Sequence, residues 1–162
     1  MAKKEEKTNV MRVLEQKKIP YTAHSYPHTE GEAVDGETVA ALLGQDPRQV
    51  FKTLVTRGGR GGYFVFVIPV KAALDLKKAA KAAGEKSVEM LAVKDLLSLT
   101  GYVRGGCSPV GMKKAFPTFF DQTAKDCPTV MVSAGKIGWQ IETAPDDLIG
   151  LVRGKLADLT ME

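Results

Sequence analysis

The sequence predicts a single α/β domain, residues 1–162, built on a mixed, mostly antiparallel, barrel-like β-sheet flanked by helices. Three observations carry that expectation. Runs of β-branched and aromatic residues alternate with alanine-, leucine- and lysine-rich runs whose apolar positions recur at helical spacing. Adjacent strand segments are joined by connections too short for a crossover helix, which favours antiparallel pairing over steady parallel winding. The 162-residue chain shows no internal repeat, low-complexity tract or linker, and it is long enough for one core of its own.

Taken in order, "TNVMRVLEQKKI" is a helix with Thr8 as its N-cap and Val10, Met11 and Leu14 on one face. "PYTAHSY" is extended, and the acidic, glycine-containing "PHTEGEAVDG" is a loop. "ETVAALLG" is a short helix that stops at Gly44. "QVFKTLVT" and "YFVFVIPV" form the best strand pair, with "RGGRGG" as the turn between them. "DLKKAAKAAG" is a helix capped by Asp75 and ended by Gly84. A strand, "SVEML", and a helix, "AVKDLLSLTG", lead to the loop "GYVRGGCSPVGMKK". Beyond it, "TVMVSAG" and "GWQIETA" make a second hairpin-like pair, and "PDDLIGLVRG" is a closing helix with Pro145 in its first turn.

A hydrophobic fraction of 44% and a charged fraction of 26% are those of a soluble globular protein. No apolar run is long enough to span a bilayer, and the charged start "MAKKEEKTNV", expected to fray, has no signal-peptide character. These features lead us to expect a cytoplasmic protein. Cys107 and Cys127 do not make a disulfide framework. His24 and His28 have helical ligand spacing in "HSYPH", but Pro27 between them breaks the helix that spacing requires. Neither a metal nor a cofactor is expected. The net charge of +4 favours a polyanion such as RNA, but only weakly, because the lysines are spread over Lys17–Lys18, Lys77–Lys78–Lys81 and Lys113–Lys114.

The glycine loop is not a Walker A phosphate loop: Gly106 and Gly111 have the spacing, but Met112 stands at the lysine position and no hydroxyl follows. Two readings stay open. Gly105 and Gly106 can expose backbone N–H groups as a nest for a carbonyl or oxyanion, with Pro109 stiffening the far side, or the loop is a plain connector. Lys52 in "VFKTLV" lies in an apolar strand, on one face with Val50 and Leu54. Burying an unpaired ammonium is costly, so it faces a polar cavity or snorkels from an edge. No G-x-S-x-G elbow is present, and neither histidine has a neighbouring nucleophile. Cys107 has no evident base and reads as a small apolar loop residue before it reads as a nucleophile. Asp146 and Asp147 open a helix, where carboxylates complement the dipole.

"VFKTLV", then "GYVRGGCSPVGMKK", then "VSAGKIGWQIETAPDDLI", in that order, resemble the YbaK/EbsC-type Cys-tRNA(Pro) deacylases, free-standing relatives of the editing domain of bacterial prolyl-tRNA synthetase. The resemblance runs from "NVMRVLE" to "GKLADL". It implies a YbaK-type α/β fold on a barrel-like sheet and trans-acting hydrolysis of mischarged tRNA without cofactor. The implied partners are the acceptor end of tRNA(Pro) and, transiently, prolyl-tRNA synthetase, with no membrane or DNA. It also implies a mechanism in which the substrate's own cysteine thiol attacks the ester, so that no protein nucleophile is needed.

By resemblance, Lys52 is the essential lysine, and Gly105, Gly106, Ser108, Pro109 and Gly111 form the loop that receives the substrate carbonyl. Tyr26, Thr53 and Ser133 line the pocket. Gln140 stands where a known member has Asp, Asp35 where it has Phe, and Cys107 where the loop more usually has Ile. Two other functions remain open: deacylation of another small residue such as alanine by water, and a non-catalytic tRNA or synthetase adaptor.

Overall fold

The computed structural model describes residues 7–29 and 31–161. The start expected to fray falls, for residues 1–6, outside them. The chain opens with α1 (Asn9–Gln16), where the Thr8 hydroxyl accepts from the Met11 N–H at 3.2 Å and Val10, Met11 and Leu14 are buried. Strand β1 (Thr22–Ser25) follows. Helix α2 (Gly36–Leu43) is capped by Asp35 and ends at Gly44. The hairpin of β2 (Phe51–Gly58) and β3 (Tyr63–Pro69) runs in register from Phe51 opposite Pro69 to Arg57 opposite Tyr63.

Helix α3 (Leu76–Ala83) is capped by Asp75, which accepts from the Lys77 and Lys78 N–H groups. Then come β4 (Val88–Met90), α4 (Val93–Thr100) and, past the glycine loop, β5 (Thr118–Asp121). Strands β6 (Val130–Ser133) and β7 (Trp139–Thr143) lead to α5 (Pro145–Leu151) and β8 (Lys155–Ala157).

The strands form two sheets: a five-stranded one in the order β4-β2-β3-β5-β8 and a three-stranded one in the order β1-β7-β6. Pairing is antiparallel throughout the smaller sheet and in β4-β2-β3, and parallel in β3-β5-β8. The expected mixed, mostly antiparallel α/β architecture is present. The expected barrel-like closure is not: the strands fall into two separate sheets, and the β-bridge between them among the described residues is the isolated parallel one of Val50 and Met131. Strand β4 pairs with β2 over Thr56–Gly58, and residues 51–54 at the other end of β2 line a cavity.

The larger sheet is covered on both faces, which explains why β3 reads as an unbroken apolar run instead of an alternating one. On one face Phe51, Val55, Val65, Val67 and Phe120 pack against Val10 and Leu14 of α1 and Val132 and Ile141 of the smaller sheet. On the other, Phe64, Phe66, Ile68 and Phe119 pack against Ala79 and Ala80 of α3.

Candidate active site

A cavity of about 670 Å³ opens between the two sheets, at the start of β2. Strand β2 contributes Lys52 and Thr53, the chain just after β1 contributes Tyr26, and β6 and β7 contribute Ser133 and Gln140. Helix α2 closes one side with Asp35 and Glu37, and the glycine loop closes another with Arg104, Gly105 and Cys107. The smaller sheet fixes its two residues in register: Gln140 lies opposite His24 on one side and opposite Ser133 on the other.

The Lys52 ammonium is half-buried and makes no hydrogen bond or ion pair among the described residues. Burial pushes its pKa below the ordinary 10.5, and the Glu37 carboxylate offsets part of that shift. Around it lie the buried side-chain atoms of the described residues that lack a partner: the Tyr26 hydroxyl, Thr53 Oγ1 and Gln140 Oε1. Burial raises the pKa of the Tyr26 hydroxyl, and the nearby Gly138 backbone opposes the rise without offsetting it. An unsatisfied buried polar group costs about 1–3 kcal/mol, so several facing one cavity mark a surface built for a polar ligand.

The glycine loop is held from behind. The Tyr102 hydroxyl donates to the Val110 carbonyl, and Ser108 Oγ accepts from the Val110 N–H at 3.3 Å. Gly105 has φ +85°, and a Cβ there would lie 2.8 Å from that of Ala33, so only glycine lets the loop sit against the segment leading to α2. The Gly106 N–H donates to the Val103 carbonyl at 2.9 Å and is spent closing a turn. The Gly105 and Cys107 N–H groups, on either side of it, make no hydrogen bond among the described residues. Both residues line the cavity.

Of the residues singled out in the sequence, the structure brings Tyr26, Lys52, Thr53, Gly105, Ser133 and Gln140 to the cavity. Gly106 and Ser108 lie behind its wall, and Pro109 and Gly111 line a second groove on the far side of the loop. Ser133 Oγ accepts from the Gly135 N–H at 3.1 Å, leaving its own O–H to donate. The sequence reading missed Glu37, which looks like an ordinary acidic residue of a helix's first turn, and Arg104, one basic residue in a loop. Asp35, noted there only as a departure, is the N-cap of α2: its carboxylate accepts from the Thr38 N–H at 3.2 Å and from the Thr38 hydroxyl.

The cavity holds no activated nucleophile. Burial pushes the Cys107 thiol up to about 12, so it stays protonated near neutral pH. His24 is paired with Glu142 at 2.8 Å, and His28 Nδ1 lies 2.9 Å from the Tyr26 carbonyl; neither lines the cavity. Among the described residues no cluster of His, Cys, Asp and Glu is arranged to hold a metal ion. A free cation, two free amides and a ring of unpaired polar atoms can grip a polar ester and stabilise an oxyanion.

Residues 30–151 match the family model of the aminoacyl-tRNA editing domain. The chain belongs to that family. An Enterococcus faecalis protein carrying the name Cys-tRNA(Pro)/Cys-tRNA(Cys) deacylase EbsC is 50% identical to this editing domain over 162 residues, covering 99% of this chain and 98% of its own. A crystal structure described as a trans-editing enzyme for prolyl tRNA synthetase superposes with TM-score 0.81 at 25% identity, over 94% of this chain and 95% of that one. A scaffold protein used for computational epitope grafting shares the fold with TM-score 0.82 at 26% identity, over 94% and 95%. In the editing domain described here, no helix among the described residues is long and apolar enough to cross a membrane.

Proposed function

We propose that this editing domain acts in trans on mischarged tRNA, releasing cysteine from Cys-tRNA(Pro) by holding the ester for attack by the substrate's own thiol. The observation that carries the reading is the composition of the cavity. It holds an unpaired Lys52 ammonium and unpaired polar atoms, yet no thiolate and no histidine. The naming of the half-identical relative supports the same substrate, and also Cys-tRNA(Cys).

In this mechanism the cysteine sulfur attacks the ester carbonyl, the bond from that carbon to the ribose oxygen breaks, and the thiol proton ends on the freed ribose hydroxyl. The products are tRNA and a cyclic thiolactone, and no water is consumed. Lys52 binds ribose or phosphate oxygens of the terminal adenosine or polarises the ester. The Gly105 and Cys107 amides receive the oxyanion, while Tyr26, Thr53, Ser133 and Gln140 fix the aminoacyl group. Holding sulfur and carbonyl in attack geometry contributes on the order of 7–11 kcal/mol. Serine is rejected by chemistry, because a thiol with pKa near about 8.5 is far more nucleophilic at neutral pH than a hydroxyl. Such a mechanism reads the amino acid more closely than the tRNA, so identity of the tRNA is left to a partner. We assign that role to prolyl-tRNA synthetase, in the cytoplasm.

The test is deacylation of Cys-, Ser- and Ala-tRNA(Pro) side by side. Cysteine is expected to leave selectively, and Lys52→Ala to slow it on the order of 100-fold with the fold intact. Loss of alanine as fast as cysteine would replace the thiol mechanism with one using water, for which Glu37 beside Lys52 is the candidate base. Activity of Lys52→Ala within a few fold of wild type would sink the assignment of the site.

A further inference from the structure

The glycine loop has two faces, and the reaction proposed above uses only one. Behind it lies a second groove of about 340 Å³, on which Pro109, Val110, Gly111 and Met112 of the same loop open. Its floor is apolar, with Phe116 as an aromatic plate. Its rim carries Lys17, Lys114 and Arg153, all exposed, and no carboxylate among the described residues lines it. None of these three cations has an ion pair or side-chain hydrogen bond among the described residues.

The ends of two helices bring two of these cations to the groove. The left-handed residues Lys18 (φ 58°) and Arg153 (φ 54°) close α1 and α5, with the Ile19 N–H donating to the Leu14 carbonyl and the Gly154 N–H to the Ile149 carbonyl. Lys17 and Arg153 thereby sit on the rim beside Lys114. Cations at the ends of α1 and α5 also complement the helix dipoles, but each helix end carries only roughly half a negative charge. Three full charges against two such ends leave a rim of about +2.

We infer that this groove binds the single-stranded 3′ tail of tRNA, its phosphates on Lys17, Lys114 and Arg153 and its bases against the apolar floor. The inference rests on the proposed function for its choice of RNA. A basic rim over an aromatic floor is the pattern that single-stranded nucleic acid takes. The loop also joins the two sites over a short span: from Cys107 on the first cavity to Gly111 on the groove is at most about 14 Å of extended chain. The two sites are thus within the reach of a few nucleotides of one another, as a tRNA tail entering the first cavity from the second requires.

The test uses the full chain and a fluorescent single-stranded RNA oligonucleotide with the 3′ sequence of tRNA(Pro), titrated at several salt concentrations. The triple variant Lys17→Ala/Lys114→Ala/Arg153→Ala is expected to bind on the order of tenfold more weakly, with a log–log salt slope shallower by about 2, the value for three lost single-strand phosphate contacts. On Cys-tRNA(Pro) it is expected to raise KM and leave kcat unchanged. On cysteinyl-adenosine, which fills only the first cavity, it is expected to match wild type. Swapping the three for the other basic residue (Lys17→Arg, Lys114→Arg, Arg153→Lys) is expected to restore binding.

Unchanged affinity and salt slope in the triple variant overturn the inference. So does loss of synthetase binding with RNA binding intact, which would make the groove a protein interface. Wild-type protein that binds the oligonucleotide through these residues but deacylates no tRNA would refute the proposed function and leave the groove standing.

Discussion

An ammonium held half-buried with no bonded carboxylate lowers the stability of the protein that carries it. Burial sets the folded-state pKa of Lys52 below its ordinary 10.5. Between those two values the unfolded chain binds more protons, so stability rises with pH through that window. Below the folded value, and hence at neutral pH, the full penalty is present. Lys52→Met is therefore expected to unfold at higher temperature than wild type near neutral pH, by on the order of 1 kcal/mol, while losing deacylation. A lower melting temperature would show that the ammonium is satisfied in the free protein. Lys52 was legible in the sequence because a charge inside "VFKTLV" breaks an apolar strand pattern. Glu37 was not: an acidic residue in a helix's first turn is what the dipole alone would select. Thr53 and Gln140 came to notice only through resemblance, since nothing in a sequence shows which polar atoms go unpaired on folding.

Helix α2 is one wall of the cavity, and its start depends on a single carboxylate. Asp35→Ala removes the acceptor for the Thr38 N–H and hydroxyl, which is expected to lower the midpoint of urea unfolding. Because Glu37 sits in that first turn and Gly36 packs against Val70, the loss is expected to reach the cavity as a raised KM. An unchanged KM with reduced stability would confine Asp35 to capping. The helices were readable because each announces itself locally: Thr8 and Asp75 at starts, Gly44, Gly84 and Gly101 at ends. Strands β5 and β8 were not. "TFFD" and "KLA" are too short for a period to register, and their parallel partners lie far off in sequence. The hairpin of β2 and β3 was plain for the opposite reason: long apolar runs on either side of a glycine turn.

One residue of the smaller sheet is expected to make the stability of the whole molecule depend on pH in acid. Glu142 on β7 accepts from the Thr129 hydroxyl and pairs with His24 on β1, tying two neighbouring segments together. The Thr129 bond does most to hold its pKa below the ordinary 4.5; burial opposes it, and the bond and charge of His24 add smaller lowering effects. A depressed folded-state pKa contributes stability that is present above 4.5 and lost as pH falls through the folded value. Glu142→Gln is expected to lower stability by roughly 1–2 kcal/mol at neutral pH, with the gap to wild type closing in acid. Parallel curves at all pH values would refute it. The two-sheet arrangement itself was only half legible: each hairpin could be read, but the way the sheets meet, through residues as far apart in sequence as Val50 and Met131, is encoded in no local pattern.

The cavity carries a protein sulfur, Cys107, in the wall of a site proposed to hold a substrate thiol. With its thiol pushed up to about 12, Cys107 is almost never a thiolate, and thiol–disulfide exchange requires one. Exchange of Cys107 with a small disulfide that enters the cavity is accordingly expected to be slow, which keeps the wall of the site in its thiol form.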